Sequence, residues 1–431
     1  MLRLKVSRNQ HFLCLEDGSP FFWLGDTAWE LFHCLNTEDA RTYFKTRAAS
    51  GFNVIQATIL AEIDGLTTPN AYGRYPLKFN EKGEYDPCLW DTDGEYSYWD
   101  HVDAILDMAE EEGLYVALLP TWGDKYFLAH GVGPVIFTPE NALEYGRMIG
   151  KRYGNRNNLI WVLGGDRTLM AYEHFQVNEA LARGIMETEG KKHLITLHPG
   201  GYQSSTRYFP NASWIDFHMI QSGHSCRNLK NYEFVRHDYG MIPIKPTLDA
   251  EPRYEDHPID FKPENGYFDQ ADVRQAAYWN VFSGGFGHTY GHHSVWKMNR
   301  EFSAYFPLCW KDALTRPGAE QMRHLKELIL SKPFFERIPD QSLVAENYAG
   351  ANYIAATRGS DYAFLYAPNG VDIKVQMGIL TEKTVKAEWF CPRTGSYEPI
   401  GIFLNEGVRV FSPKLRGRDS DIVLSLTSVN E

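Results

Sequence analysis

No stretch of this chain approaches the ~20 consecutive apolar residues of a membrane-spanning helix, no window is rich in lysine and arginine, and no two cysteines stand at CxxC or zinc-ligand spacing. The first absence leaves no membrane partner to read from the sequence. The second, with Lys and Arg at 43 against Asp and Glu at 55 and a formal net charge of −12, excludes nucleic acid, because phosphate binding needs a basic stripe. The third makes Cys14, Cys34, Cys88, Cys226, Cys309 and Cys391 reduced, structural residues. The opening Met1-Leu-Arg-Leu-Lys-Val-Ser7 has no apolar signal-peptide core. As it stands the chain reads as cytoplasmic, or as periplasmic or secreted if a leader has been removed.

Catalytic signatures are missing too. There is no P-loop, no G-x-S-x-G, no cysteine–histidine nucleophile pattern and no dinucleotide fingerprint at a strand end. His288, His292 and His293 invite a metal reading, in which they would serve a metal-dependent hydrolase, but they do not follow HExxH. No cofactor or metal is assigned, and the oligomeric state is not readable.

What the chain has is aromatic side chains and a regular alternation. Trp 11, Tyr 25 and Phe 25 give an aromatic share of 14%, and the surplus falls in loop-like segments. Aromatic faces in clefts stack on sugar rings, with buried packing as the ordinary alternative. After a hairpin over Leu4 to Leu15 and Phe21 to Leu24, eight short apolar runs follow. They end in Trp23-Leu-Gly-Asp26 and span Phe52 to Leu60, Leu114 to Pro120, Leu159 to Asp166, His193 to Leu197, Trp214 to Ile220, Pro246 to Glu251 and Gly285 to Tyr290. Helical patterns alternate with them. One is capped at Asn36 and closed at Gly51, and Thr138-Pro139 opens another; further ones span Tyr98 to Glu112, Tyr172 to Glu189, Leu229 to Tyr239, Asp269 to Phe282 and Pro317 to Ser331. This predicts a (β/α)8 TIM barrel over residues 1–337. A doubly wound open sheet fits less well.

Past Lys332 the texture changes to short β-rich runs at Asn352 to Thr357, Tyr362 to Ala367, Val371 to Met377, Val385 to Phe390, Val408 to Phe411 and Ile422 to Leu426, separated by turns such as Asn369-Gly370. Residues 338–431 therefore read as a small all-β sandwich with an ancillary role. It is expected to pack on the barrel through Phe334, Phe335 and Trp389.

The fourth and seventh apolar runs end in acids, Asp166 after Gly164-Gly165 and Glu251 before Pro252. Strand C-termini of such a barrel converge on one mouth, and a pair of carboxyls about 5 to 5.5 Å apart is what retaining glycosidic cleavage needs. Asp166 is assigned as acid/base and Glu251 as nucleophile. Alternatively each is a strand-end acid held by Arg167 or Arg253. The same mouth is expected to gather Asp26, Trp29, Gln56, Glu62, Trp122, His198, His218, Gln221, His288 and Tyr290 as contacts for a hydroxyl-rich substrate. The long connection from Glu62 to Tyr96, with Tyr72, Tyr75, Phe79, Tyr85 and Trp90, is expected to shape its subsites. A non-catalytic carbohydrate-binding barrel, with recognition in the β-domain, is the competing reading.

Together, Phe22-Trp-Leu-Gly-Asp-Thr-Ala-Trp-Glu-Leu-Phe32, Leu163-Gly-Gly-Asp166, Glu251-Pro-Arg-Tyr-Glu255 and Trp389-Phe-Cys-Pro-Arg-Thr-Gly395 resemble the apiosidase-like glycoside hydrolases, family 140. That resemblance covers almost the whole chain. It implies a barrel with a C-terminal β-domain that carries a collagen-binding label, and a retaining, exo-acting hydrolase that removes apiose from pectic rhamnogalacturonan II side chains. It also implies Asp166 as acid/base and Glu251 as nucleophile. The wider clan usually ends strand four in Asn-Glu, where this chain has Gly165-Asp166.

Overall fold

The computed structural model describes residues 1–429; Asn430 and Glu431, at the end of the expected β-domain, lie outside them. Eight parallel strands form the barrel: β1 Trp23–Thr27, β2 Val54–Leu60, β3 Tyr115–Thr121, β4 Leu159–Arg167, β5 Ile195–Pro199, β6 His218–Gln221, β7 Thr247–Asp249 and β8 Gly287–Tyr290. They are hydrogen-bonded in two arcs. One is a six-stranded sheet in the order β5-β4-β3-β2-β1-β8, and the other pairs β6 with β7 and adds the short antiparallel strand Gln203–Ser204. Single backbone bonds bridge the two seams, Asp216 N–H to Ile195 O at 2.8 Å and Phe286 N–H to Thr247 O at 3.0 Å.

The helices begin where local side chains can satisfy orphan amides. Helix α1 (Thr37–Ala49) is capped by Asn36, and α2 (Tyr98–Glu111) by a Ser97/Asp100 capping box. Helix α3 (Pro139–Tyr153) is capped by Thr138 with proline in the first turn, and α4 (Tyr172–Glu189) closes on the left-handed Gly190. Helices α5 (Asn231–Tyr239), α6 (Gln270–Phe282) and α7 (Pro317–Leu330) complete the outer layer. Between β5 and β6 there is only the single turn Ser205–Arg207. The sixth and seventh strands are shorter than their apolar runs, so Trp214 precedes β6 and Glu251 stands two residues beyond the end of β7.

The C-terminal strands are β9 Ala355–Arg358, β10 Tyr362–Ala367, β11 Ile373–Gln376, β12 Thr384–Phe390, β13 Tyr397–Leu404, β14 Val408–Phe411 and β15 Ile422–Val429. One sheet runs from Ile338–Pro339 through β9, β10, β15 and β12 to β13, and the other joins Val344–Glu346, β11 and β14, all antiparallel. Strand β13 escapes the sequence pattern because it carries Pro399 and Gly401. Proline is tolerated there because β13 is an edge strand, paired only with β12 through a bulge at Ala387/Glu388.

The β-domain shares a hydrophobic cluster with the barrel. Tyr278 and Phe282 of α6 stack on Tyr366 at 4.7 Å and Phe364 at 6.2 Å. Trp389 does not take part in this contact as expected. Strand alternation turns it into the β-domain's own core, and its neighbour Phe390 faces the barrel instead. Phe334 packs on Phe12, at 4.8 Å. Arg274 of α6, fully buried, donates to Asp421 through Nε at 3.0 Å and Nη2 at 2.7 Å, and Arg393 reaches the same carboxylate at 3.1 Å.

Removing Arg274 takes from the buried Asp421 its fully buried cation and both of its shorter bonds, and leaves it the Arg393 ion pair. Arg274→Ala is therefore expected to lower unfolding stability by about 3 kcal/mol in urea titrations. A loss below about 0.5 kcal/mol would show that the domains are held by apolar stacking alone.

Candidate active site

Glu251 follows β7 and is almost fully buried, yet no arginine or lysine pairs with it among the described residues. Two imidazoles flank it instead. His224 Nε2 lies 3.2 Å from Oε1, and because a carboxylate only accepts, this nitrogen must carry the proton and donate. His198 Nε2 lies 3.0 Å from Oε2. Burial alone would raise the Glu251 carboxyl; the two imidazoles together outweigh it and bring it down to about 2. The side chain is thus an anion throughout the physiological range. Arg253 does not neutralise it, since its guanidinium bonds the Arg227 carbonyl.

Asp166 is delivered differently. Gly164, Gly165 and Asp166 hold φ values of 88°, 101° and 51° in succession, and the β4/β5 register jumps across them, with His198 opposite Gly164 but Pro199 opposite Arg167. This is a bulge that pushes the acid out of the strand into the mouth. Only glycine fits, because a Cβ at Gly164 would lie 2.3 Å from the His198 carbonyl oxygen and one at Gly165 2.9 Å from the Gly123 nitrogen. The Asp166 side chain keeps 27% exposure, with His130 Nε2 3.0 Å from Oδ2. Arg167 Nη1 donates to the Asp166 carbonyl oxygen at 2.7 Å and to His130 Nε2 at 2.8 Å, and stands 3.9 Å from the Asp166 carboxylate. His130 sits in the loop after β3, and nothing in the sequence marks it.

Both acids line one cleft of about 460 Å³. Trp29 and Trp122 lie beneath them, ring centroids 5.0 Å apart, with the His198 ring 5.2 Å from Trp29. Gln221 and Glu62 join the lining, and His257, Tyr202, Phe261, Trp296 and Tyr305 are lining residues the sequence did not suggest. Glu62 has no hydrogen-bond or ion-pair partner for its carboxyl among the described residues. Burial first, then the charges of Glu30, Asp166 and Glu251, push it well above the ordinary carboxylate range. A hollow of about 590 Å³ at the N-terminal hairpin, lined by Lys5, Arg8 and Phe335 among others, gathers no carboxyl pair.

Six of the expected contacts do not line this cleft: His198 is fully buried against Glu251, Gln56 lies in a packed layer of the lumen, and strand alternation turns the other four away. Tyr290, His288 and Asp26 point from β8 and β1 toward the helices. Asp26 accepts from Tyr43 Oη and Arg47 Nε, both at 2.6 Å, Tyr290 donates to Glu255 at 2.7 Å, and His288 meets Asn280 at 3.0 Å. His218 faces Ser205 Oγ at 2.8 Å, on the opposite side of β6 from Gln221. Gln56 does enter the lumen but lies in a packed layer, donating to the Ala250 carbonyl oxygen at 3.1 Å and accepting from Thr289 Oγ1 at 3.4 Å. The strand-eight histidines also diverge. His292 pairs with Asp256 at 2.9 Å and His293 stacks on Phe306 at 4.4 Å, and among the described residues no group of three or more His, Cys, Asp or Glu is placed to hold a metal ion. The long connection after β2 contributes only Glu62. Its aromatics pack on the barrel and on each other, Trp90 on Trp99 at 3.7 Å and Phe79 on Tyr85 at 4.4 Å.

No described helix is long and apolar enough to cross a membrane, and all six cysteines are free. The family model "Apiosidase-like, catalytic domain" matches residues 7–336, and the model "Putative collagen-binding domain of a collagenase" matches residues 338–427. No curated protein matches the chain. A glycoside hydrolase family 5 structure from Bacteroides vulgatus is 34% identical with a TM-score of 0.89, over 99% of this chain and 94% of that one. A structure named only as a glycoside hydrolase is 34% identical with a TM-score of 0.87, over 100% and 97%. A β-L-arabinopyranosidase from Geobacillus stearothermophilus, 11% identical with a TM-score of 0.54 over 95% and 97%, shares the fold alone.

Two titrations follow from this electrostatics. His224→Ala removes a donor from a buried anion, so the acidic limb of the pH–rate profile, set by Glu251, should move up by about one unit or more; an unmoved limb would remove His224 from the account. Glu62 binds its proton more tightly when folded, so it lowers stability as pH rises above its unfolded value of about 4.3. Glu62→Gln should therefore raise the thermal midpoint at pH 7 and leave it unchanged at pH 4. A variant destabilised at both would contradict a neutral Glu62.

Proposed function

The chain belongs to the apiosidase-like family of glycoside hydrolases, and from that membership we propose that it is a retaining, exo-acting enzyme that removes a terminal apiose-like sugar from pectic, rhamnogalacturonan II-type oligosaccharides. The observation that carries the reading is the unequal pair of carboxyls facing one cleft, one buried and kept ionised by two imidazoles, the other partly exposed on a bulge.

In the first step the Glu251 carboxylate attacks the anomeric carbon as the bond to the leaving oxygen breaks, and that oxygen takes the Asp166 proton. In the second step Asp166, now a carboxylate, takes a proton from water, whose oxygen attacks the same carbon and releases Glu251. The configuration is inverted twice and so retained. Trp29, Trp122, Gln221 and Glu62 surround the sugar, and Glu62, carrying its proton, donates a hydrogen bond to a ring hydroxyl rather than repelling the Glu251 anion. The β-domain is ancillary, since among the described residues it gathers no comparable cluster of acids and imidazoles.

Hydrolysis of apiose-capped pectic oligosaccharides and aryl glycosides, with product stereochemistry followed by NMR, tests the reading. Glu251→Ala should turn over no substrate. Asp166→Ala should lose about 10²–10⁴-fold on natural linkages yet accept activated aryl glycosides, with azide restoring turnover and giving a glycosyl azide of retained configuration. An azide product of inverted configuration, or activity in the Glu251 variant, would overturn the mechanism. Binding of sugars with no hydrolysis of any glycoside would favour a carbohydrate-binding barrel.

A further inference from the structure

Among the described residues ten that are not glycine hold a positive φ, and three of these line the cleft: Asp166 at 51°, Tyr202 at 60° and Phe261 at 60°. The bulge accounts for Asp166. Tyr202 and Phe261 stand outside the bulge, after β5 and after β7. A left-handed backbone is unfavourable for a bulky L residue and persists where the surroundings impose it, most often at functional sites. Such strain is ordinarily offset by burial, yet Tyr202 is 48% and Phe261 58% exposed.

The positions of the two rings are informative. Tyr202 follows β5 on a loop tied to the strand end that carries Asp166, since Gln203 Nε2 donates to Thr168 Oγ1 at 2.7 Å and Gly200 approaches the Arg167 backbone too closely for a side chain to fit without adjustment. Phe261 stands edge-on to His257 at 4.8 Å and to His224 at 5.9 Å, the imidazole that donates to Glu251. Asp260, beside Phe261, donates its N–H to the His224 carbonyl oxygen at 3.0 Å and lies within electrostatic reach of Tyr202. The rings thus rim the cleft, one on the Asp166 side and one on the Glu251 side. The deeper rings, Trp29 and Trp122, are each 2% exposed. The difference in exposure defines two levels, a closed inner one and an open outer one.

We propose that Tyr202 and Phe261 form an outer sugar subsite that grips the residue bearing the departing oxygen, so that the substrate is a glycan chain end of two or more sugars. The inference rests on the glycosidase reading and deepens it. Exposed aromatic faces bind the C–H faces of sugar rings by burying apolar area. Holding them in a conformation that favours glycine places them where an outer sugar emerges from between the acids.

The test uses the full chain carrying Glu251→Gln, which binds without turnover. It is titrated by calorimetry with apiose-capped pectic oligosaccharides, with arabino-, xylo- and manno-oligosaccharides, and with free apiose, arabinose, xylose and mannose. Tyr202→Gly and Phe261→Gly should each weaken the oligosaccharide that binds by about tenfold and leave its terminal monosaccharide within about twofold. Their thermal midpoints should be unchanged or higher, because glycine adopts a positive φ freely. Midpoints lowered by several degrees, or oligosaccharide affinity insensitive to both changes, would overturn the subsite, as would the absence of oligosaccharide binding. Ring-dependent binding confined to a glycan without apiose would uphold the subsite while removing the apiose assignment. Hydrolysis of aryl glycosides decides the glycosidase reading separately.

Discussion

The mouth of this barrel is organised around a buried negative charge. Glu251 is removed from water, and an isolated carboxylate in that position would take up a proton. It stays ionised because His198 from β5 and His224 from beyond β6 approach its two oxygens. Those imidazoles are positioned in turn. His198 sits against Trp29, at 5.2 Å, and His224 against His257, at 4.3 Å. Three successive strands and their loops must therefore be in register for one buried carboxylate to stay ionised, and a barrel that converges strand ends supplies that register.

Asp166 depends on the backbone rather than on burial. The bulge across Gly164, Gly165 and Asp166 turns a strand-end acid into the cleft and leaves it partly in solvent, beside His130. A residue that must release and regain a proton is served by contact with water, whereas a nucleophile is served by exclusion from it. On the proposed mechanism, the contrast between the two carboxyls suits them to distinct roles. Glu62 is the third member: among the described residues no cation pairs with it, and burial, then the charges of Glu30, Asp166 and Glu251, hold its carboxyl well above the ordinary range.

The alternation of strands and helices, most helix caps and the placement of two acids at one barrel mouth were legible in the sequence, because strand–helix periodicity and capping residues are local signals. Which side of a strand a residue faces was not. Asp26, His218, His288 and Tyr290 are strand-end polar residues like His198 and Gln221, yet a one-residue difference in parity turns them toward helices. Trp389 was misplaced for the same reason, and β13 was missed because proline and glycine on an edge strand mimic a loop. His130, Tyr202 and Phe261 lie in loops without periodicity, so only three-dimensional proximity brings them to the site. The aromatic surplus after β2 proved to be loop packing.

The central claim is that Glu251 forms a covalent bond to the sugar. The Asp166→Ala protein, incubated with an activated aryl glycoside and quenched, should show a mass increase of one glycosyl residue by intact-protein mass spectrometry, and peptide mapping should place it on Glu251. An unmodified protein that nonetheless turns over the glycoside, or a label on a different residue, would contradict the account.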